Sequence, residues 1–173
     1  MLTGLSWAGT VAGRLSWTLD NVFRTTSKNV NGANTVNFQY DNGGLLTAAG
    51  SLTLARSAQS DLITGTTLGN VTDTPSYNGF GEVTGYTASY NPSPIFATQH
   101  TYDKLGRITQ KIETIGGTPT TFDCDFDLAG RLHEVKQNNV VTATYTYDTN
   151  GNRLSGRGLG TAPTYDDQDR LTA

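Results

Sequence analysis

Tyr102-Asp103-Lys104-Leu105-Gly106-Arg107-Ile108 is the stretch whose reading decides the fold, because the chain repeats it. Phe126-Asp127-Leu128-Ala129-Gly130-Arg131-Leu132 is a second clean copy, and Tyr147-Asp148-Thr149-Asn150-Gly151-Asn152-Arg153-Leu154 a third. Weaker copies are Tyr40-Asp41-Asn42-Gly43-Gly44-Leu45-Leu46, Tyr77-Asn78-Gly79-Phe80-Gly81-Glu82-Val83 and Tyr165-Asp166-Asp167-Gln168-Asp169-Arg170-Leu171. The shared pattern is an aromatic, Asp or Asn, two free residues, Gly, Arg, and an aliphatic residue. The aromatics at 40, 77, 102, 126, 147 and 165 are separated by 37, 25, 24, 21 and 18 residues. That spacing is looser than the period of a helical array. The long first gap points to a degenerate copy near Leu62-Ile63-Thr64-Gly65. Before residue 40 the pattern fades, with Gly13-Arg14-Leu15 as the tail of another copy.

Each copy reads as a β-hairpin turn. An Asp at the first turn position hydrogen-bonds backbone amides two or three residues on, and a Gly at the fourth accepts a positive φ without steric cost. A type I turn closed by a left-handed residue is a common hairpin loop. Asp103 to Gly106, Asp127 to Gly130 and Asp148 to Gly151 fit it, and in Asn78 to Gly81 the Asn replaces Asp. In the last copy Asp169 stands at the glycine position, which Asp tolerates better than most residues.

The flanks alternate with period two. Phe122, Cys124 and Phe126 alternate with Asp123, Asp125 and Asp127, and Val141, Ala143, Tyr145 and Tyr147 with Thr142, Thr144 and Thr146. Val36, Phe38 and Tyr40, and Leu15, Trp17 and Leu19, follow the same rule. This predicts strands with one apolar and one polar face, joined through Gly116-Gly117, Gln137-Asn138-Asn139 and Asn91-Pro92 into an all-β antiparallel meander. Asn152 reads as an extra residue before Arg153-Leu154, which predicts a bulge that restores the facing of Leu154.

Composition agrees. Charged residues are 16% and glycines number 20, too little charge for a solvated helix bundle and enough turn formers for many hairpins. The length of 173 residues predicts one domain with its own core. A net charge of −3 without a basic stripe argues against nucleic acid. Met1 to Trp7 lacks the basic and apolar regions of a signal peptide, and no apolar run has the length of a membrane span. Cys124 is the one cysteine, so no internal disulfide forms.

Candidate chemistry is sparse. His100, in phase with Phe96 and Tyr102, reads as a packed strand histidine, and His133 as an exposed one. Neither has a metal-ligand spacing. Cys124 reads as a small buried residue whose neighbours Asp123 and Asp125 raise its thiol pKa. Asp123, Asp125 and Asp127 predict a carboxylate-lined strand face. Asp166, Asp167 and Asp169 lack the glycine and terminal glutamate of a calcium loop. Gly13, Gly43-Gly44 and Gly156-Arg157-Gly158 have no phosphate-loop context. No catalytic, cofactor or metal residue is expected. The recurring aromatics read as a stacking ladder that joins neighbouring hairpins or, together with the arginines, as a sugar-binding surface. An Asp–Arg pair across each turn reads as a surface contact of little energy.

These copies resemble the YD repeats of Rhs proteins, which also occur in the toxin-encapsulating subunits of Tc toxins and in teneurins. The resemblance covers 36–173 well and 1–35 weakly, so 1–35 is expected to hold degenerate repeats and 36–173 the YD repeats. It implies a sheet spiralling into a hollow shell around a C-terminal toxin, secreted or at the cell surface. The expected partners are the rest of the shell and the enclosed toxin, with no nucleic acid and no membrane span. In teneurins the shell belongs to an adhesion receptor, which implies an alternative role in binding carbohydrate or a protein. An enzyme acting on polysaccharide is a third reading, resting on the Asp clusters alone. The repeats run to Asp169-Arg170-Leu171-Thr172-Ala173 without a closing segment or toxin, so the chain is expected to be part of a longer one whose sheet edges associate with further strands.

Overall fold

The computed structural model describes residues 2–157 and 162–172; Gly158 of the Gly156-Arg157-Gly158 run lies outside them. The described chain is all-β and falls into two compact units, Met1–Pro75 with Ser89–Pro92 and Ser76–Ala88 with Ser93–Ala173.

The first unit is an antiparallel meander of β1 (Gly4–Trp7), β2 (Gly13–Leu19), β3 (Thr25–Val30), β4 (Ala33–Tyr40), β5 (Leu46–Ala49), β6 (Leu52–Arg56), β7 (Ile63–Leu68) and most of β8 (Val71–Tyr77). Each of these strands pairs with the next. The second unit holds most of β9 (Val83–Tyr90), then β10 (Ser93–Tyr102), β11 (Ile108–Ile115), β12 (Thr118–Phe126), β13 (Leu132–Gln137) and β14 (Val140–Thr144). From β10 to β14 each strand again pairs antiparallel with its successor.

Two turn types alternate. The tight two-residue turns Asn31-Gly32 (53° and 75°), Gly116-Gly117 (54° and 86°) and Asn138-Asn139 (48° and 66°) have both residues at positive φ, and Gly50-Ser51, Gly69-Asn70 and Asn91-Pro92 have only the first, at 61°, 58° and 51°. Two positive φ values are the backbone of a hairpin turn whose twist matches its strands. The other turns are the wide turns of the repeated motif, and in a meander one type collects at each edge of the sheet. A bulge accompanies the motif: Tyr102 pairs with Ile108 but Thr101 with Gln110, and Phe126 with Leu132 but Asp125 with Glu134. The same step occurs at Leu19, Tyr40 and Arg56.

Three expectations are corrected. Neither unit encloses a core: among the described residues only Ala48, 8% exposed, and Pro163 are buried. Strands that neighbour only their successors gain little burial from a second layer. The faces also do not divide into apolar and polar. Phe122 sits opposite Lys111, whose Nζ lies 4.9 Å from its ring centroid. Finally, Asn152 is not an insertion. Tyr147 bridges Arg153 across the interval that joins Tyr102 to Ile108, so Asn152 occupies the arginine position and Arg153 the aliphatic one. The turn's hydrogen bonds set that frame.

Candidate functional site

The motif's hydrogen bonds explain its residue choices. The Asp103 amide donates to the Arg107 carbonyl at 2.9 Å, and the Gly106 amide donates to the Asp103 carbonyl at 3.1 Å. Asp103 Oδ1 accepts from the amides of Leu105 and Arg107 at 2.8 and 3.0 Å, two and four residues on. Its Oδ2 accepts from Arg107 Nε at 2.7 Å. Asp127 with Arg131 and Asp166 with Arg170 repeat the carboxylate–guanidinium bond at 2.8 and 2.7 Å. Asp148 uses the same bonds with Asn152 in arginine's place, Nδ2 donating to Oδ2 at 2.9 Å. In the copy at 78 Asn78 Nδ2 donates to Glu82 Oε2 at 2.5 Å. The closing residue is left-handed throughout: Gly44 at 87°, Gly81 at 81°, Gly106 at 76°, Gly130 at 81°, Gly151 at 92° and Asp169 at 58°.

Each motif also binds the next. Arg24 lies over the Tyr40 ring at 4.7 Å, Arg107 over Phe126 at 4.4 Å and Arg131 over Tyr147 at 4.4 Å. The tyrosine hydroxyl then donates to the carbonyl of the residue after the arginine position. Tyr40 reaches Thr25 at 2.8 Å, Tyr102 reaches Val83 at 2.7 Å, Tyr147 reaches Leu132 at 2.8 Å and Tyr165 reaches Arg153 at 3.0 Å. The ladder therefore alternates guanidinium and ring, rather than stacking ring on ring. Such a contact adds about 0.5–1 kcal/mol at an exposed site, and the hydroxyl bond about 1 kcal/mol. Glycine has a second reason: a Cβ at Gly130 would lie 3.1 Å from Arg107 Nη1, and one at Gly44 3.4 Å from Arg24 Nη1.

Two copies that the pattern left obscure carry the same geometry. Asp20 closes a turn with Arg24, its Oδ1 accepting from Val22 and Arg24 amides at 2.9 Å and its Oδ2 from Arg24 Nε at 2.7 Å. Leu19 and Phe23, φ 64°, stand at the aromatic and glycine positions and hid it. The Asp-x-x-x-Arg spacing was the readable signal. The second copy begins at Arg56, earlier than the Leu62–Gly65 expectation, because its loop, Ser57 to Leu62, is one residue longer. Arg56 Nε and Nη2 donate to the Leu46 carbonyl at 3.4 Å, the bond a tyrosine hydroxyl makes elsewhere.

At the tight-turn edge the residues that matter are asparagines the pattern did not single out. Asn138 donates its amide to the Thr121 carbonyl at 2.8 Å and accepts the Thr121 amide on Oδ1 at 2.9 Å. Asn31 does the same to Arg14, at 2.8 and 2.7 Å.

The other candidates are dispersed. Asp123 accepts from Gln110 Nε2 at 2.8 Å, Asp125 pairs with Lys136 at 3.0 Å, and Asp127 belongs to its turn. The expected carboxylate face is therefore three separate contacts. His100 Nδ1 lies 3.2 Å from the Val83 carbonyl and its ring 6.4 Å from that of Tyr102; His133 Nδ1 lies 3.2 Å from the Tyr145 carbonyl. Cys124 is half-buried, and burial, then Asp123 and Asp125, push its thiol pKa up, away from a nucleophile's. Among the described residues no cluster of metal-ligating side chains occurs. No helix of the described residues is long and apolar enough to cross a membrane.

The carboxyls of Asp20, Asp103, Asp127, Asp148 and Asp166 lie below their ordinary value of 3.8. Backbone hydrogen bonds from Arg107 and Arg131 lead at Asp103 and Asp127, and side-chain hydrogen bonds from Arg24, Asn152 and Arg170 at Asp20, Asp148 and Asp166. Folded pKa values below the unfolded ones stabilise the fold fully above pH 3.8, and this support is lost as pH falls from there through the lowered values. An acid titration followed by circular dichroism is expected to show a midpoint that moves when Asp103 and Asp127 are both changed to Asn. An unchanged acid limb would remove these carboxylates from the account.

A family model described as Teneurin YD-shell matches residues 1–173. No curated protein matches the chain. Among solved structures, TcdB2-TccC3 aligns at a TM-score of 0.74 with 17% identity, over 95% of this chain and 10% of that one. TcdB2-TccC3-Cdc42 aligns at 0.74 with 16% identity, over 95% and 10%. The Photorhabdus luminescens Tc holotoxin pore, with the TccC3-D651A mutation, aligns at 0.73 with 16% identity, over 93% and 10%. At this identity the likeness is one of fold, and the chain spans about a tenth of each of those chains.

Proposed function

The chain belongs to the teneurin YD-shell family, and from that premise we propose that it is non-catalytic wall material of an Rhs-type shell enclosing a toxin carried by a longer chain. In this reading residues 1–35 are its degenerate N-terminal repeats and 36–173 its YD repeats, the turn residues of the motif copies hold the wall together, and the protein acts outside the cell or on its surface. The observation that carries it is the ladder. Successive motifs meet through a guanidinium on a ring, a tyrosine hydroxyl on a carbonyl, or both, so the sheet grows by adding copies. A wall with little core of its own also suits a shell, whose faces are finished by cargo on one side and solvent on the other. The test uses the whole protein that contains this chain. Limited proteolysis is expected to spare the enclosed domain in the wild type and to digest it when Gly130→Val opens the wall. Equal digestion in both, or a whole protein with no further domain, counts against the reading.

A second reading, a surface module for carbohydrate, has one observation of its own. In the first unit a hollow of about 340 Å³ is lined by Thr53, Thr66, Thr67, Thr72, Asp73 and Thr74, a set of hydroxyls around one carboxylate. Against it, arginines cover the faces of Tyr40, Phe126 and Tyr147 that a sugar would stack on. A glycan array is expected to show no binding above a Thr66→Val/Asp73→Asn control; binding that the control loses would favour this role.

A further inference from the structure

In the second unit position six is not Arg at two rungs, Asn152 and Glu82, and a hollow lies at the Glu82 rung. Where position six is Arg, its side chain fills the space between successive turns, resting on the next ring and against the next turn's glycine. At the Asn152 rung the short side chain is met by Asp169, whose Oδ1 accepts from Asn150 and Asn152 Nδ2 at 2.9 and 2.7 Å. At the Glu82 rung the next closing residue is Gly106, which brings no side chain. Glu82 is held by Asn78, and its Oε1 faces Gly106, where a Cβ would lie 2.8 Å away. Among the described residues no cation lies over the Tyr102 ring. A hollow of about 460 Å³ opens here, lined by Phe80, Glu82, Tyr102, Asp103, Leu105 and neighbouring turn residues.

We propose that this hollow docks an arginine side chain of a partner polypeptide, which supplies in trans the guanidinium that the Arg107 and Arg131 rungs carry in cis. The carboxylate of Glu82 offers a charge-assisted acceptor, and Tyr102 the ring that arginine covers elsewhere. Glu82 Oε1 stands against Gly106 where Arg107 Nη1 stands against Gly130, so the incoming guanidinium enters through the hollow beside Tyr102 and meets the carboxylate there, with a planar geometry that an ammonium does not imitate. Phe80 and Leu105, 92% and 77% exposed, form an apolar rim that suits a peptide with an apolar residue beside the arginine rather than the free amino acid. Asp103 is already paired with the Arg107 guanidinium, whereas Glu82 takes only a neutral amide donor, from Asn78, so Glu82 is the carboxylate the ligand's charge would pair with. Exposed Lys104 stands on the same rim and opposes a cation.

The test is an amide-resolved NMR titration of the full chain with acetyl-Leu-Arg-amide, against the neutral isostere acetyl-Leu-citrulline-amide and against acetyl-Arg-amide. Shifts are expected at Asn78, Glu82, Tyr102 and Gly106, with citrulline weaker by roughly tenfold or more and bare arginine weaker by severalfold. Glu82→Gln is expected to weaken the arginine peptide by roughly tenfold, and Lys104→Gln to tighten it. Asn78→Asp/Glu82→Arg, which rebuilds the usual rung, is expected to abolish binding and raise the thermal midpoint. Equal affinity for arginine and citrulline peptides, binding unchanged by Glu82→Gln, or no shifts at this rung would each overturn the proposal.

Discussion

Gly130→Val is expected to destabilise the second unit by about 2–4 kcal/mol. Gly130 sits at φ 81°, where a β-branched residue is strained by about 1–3 kcal/mol. The new Cβ would also lie 3.1 Å from Arg107 Nη1 and lift the guanidinium off the Phe126 ring, forfeiting about 0.5–1 kcal/mol. A loss of this size moves the melting midpoint of a domain this small by about 10 °C or more. Gly130→Asn separates the two causes. Asn tolerates the left-handed backbone, as Asp169 does at φ 58° in the last copy, so this variant is expected to lose only the arginine contact. Thermal melts of the three proteins decide it. If valine and asparagine cost the same, backbone strain is not what glycine relieves here.

Tyr147→Ala is expected to cost about as much, roughly 2–4 kcal/mol, through a different link. The ring carries Arg131 at 4.4 Å, and its hydroxyl donates to the Leu132 carbonyl at 2.8 Å. Truncation removes part of an aromatic's burial, the cation contact and one hydrogen bond, and leaves a carbonyl without its side-chain partner. Tyr147→Phe is expected to cost only about 1 kcal/mol, because Phe126 already serves one rung without a hydroxyl. Denaturant melts read both values. Equal costs for Ala and Phe would mean that the hydroxyl, and not the stacked ring, joins these hairpins.

The turn was legible because its chemistry is local. Asp103, Gly106 and Arg107 lie within one loop, so bonds between them depend on sequence spacing alone. The Asp20 copy escaped a search keyed to aromatics and glycine, since its signal was the Asp–Arg spacing. Asn152 is obscure for a related reason: a pattern that requires Arg at one place treats a substitution as an insertion. The roles of Asn31 and Asn138 were not legible, because their partners are 17 residues away, two strands back along the chain.

By itself, the sequence determined the all-β class, the antiparallel order and the recurring turn, since period-two alternation and turn residues act over a few residues. Only the tertiary structure decided what lies between copies. Arg107 stacking on Phe126, Tyr102 reaching the Val83 carbonyl and the hollow at Glu82 join residues 19 or more apart. Their contact depends on strand register and bulge, which place one turn against the next. The same cause explains the missing core. Length alone allows a core, but strands paired only to their successors bury little against any second layer.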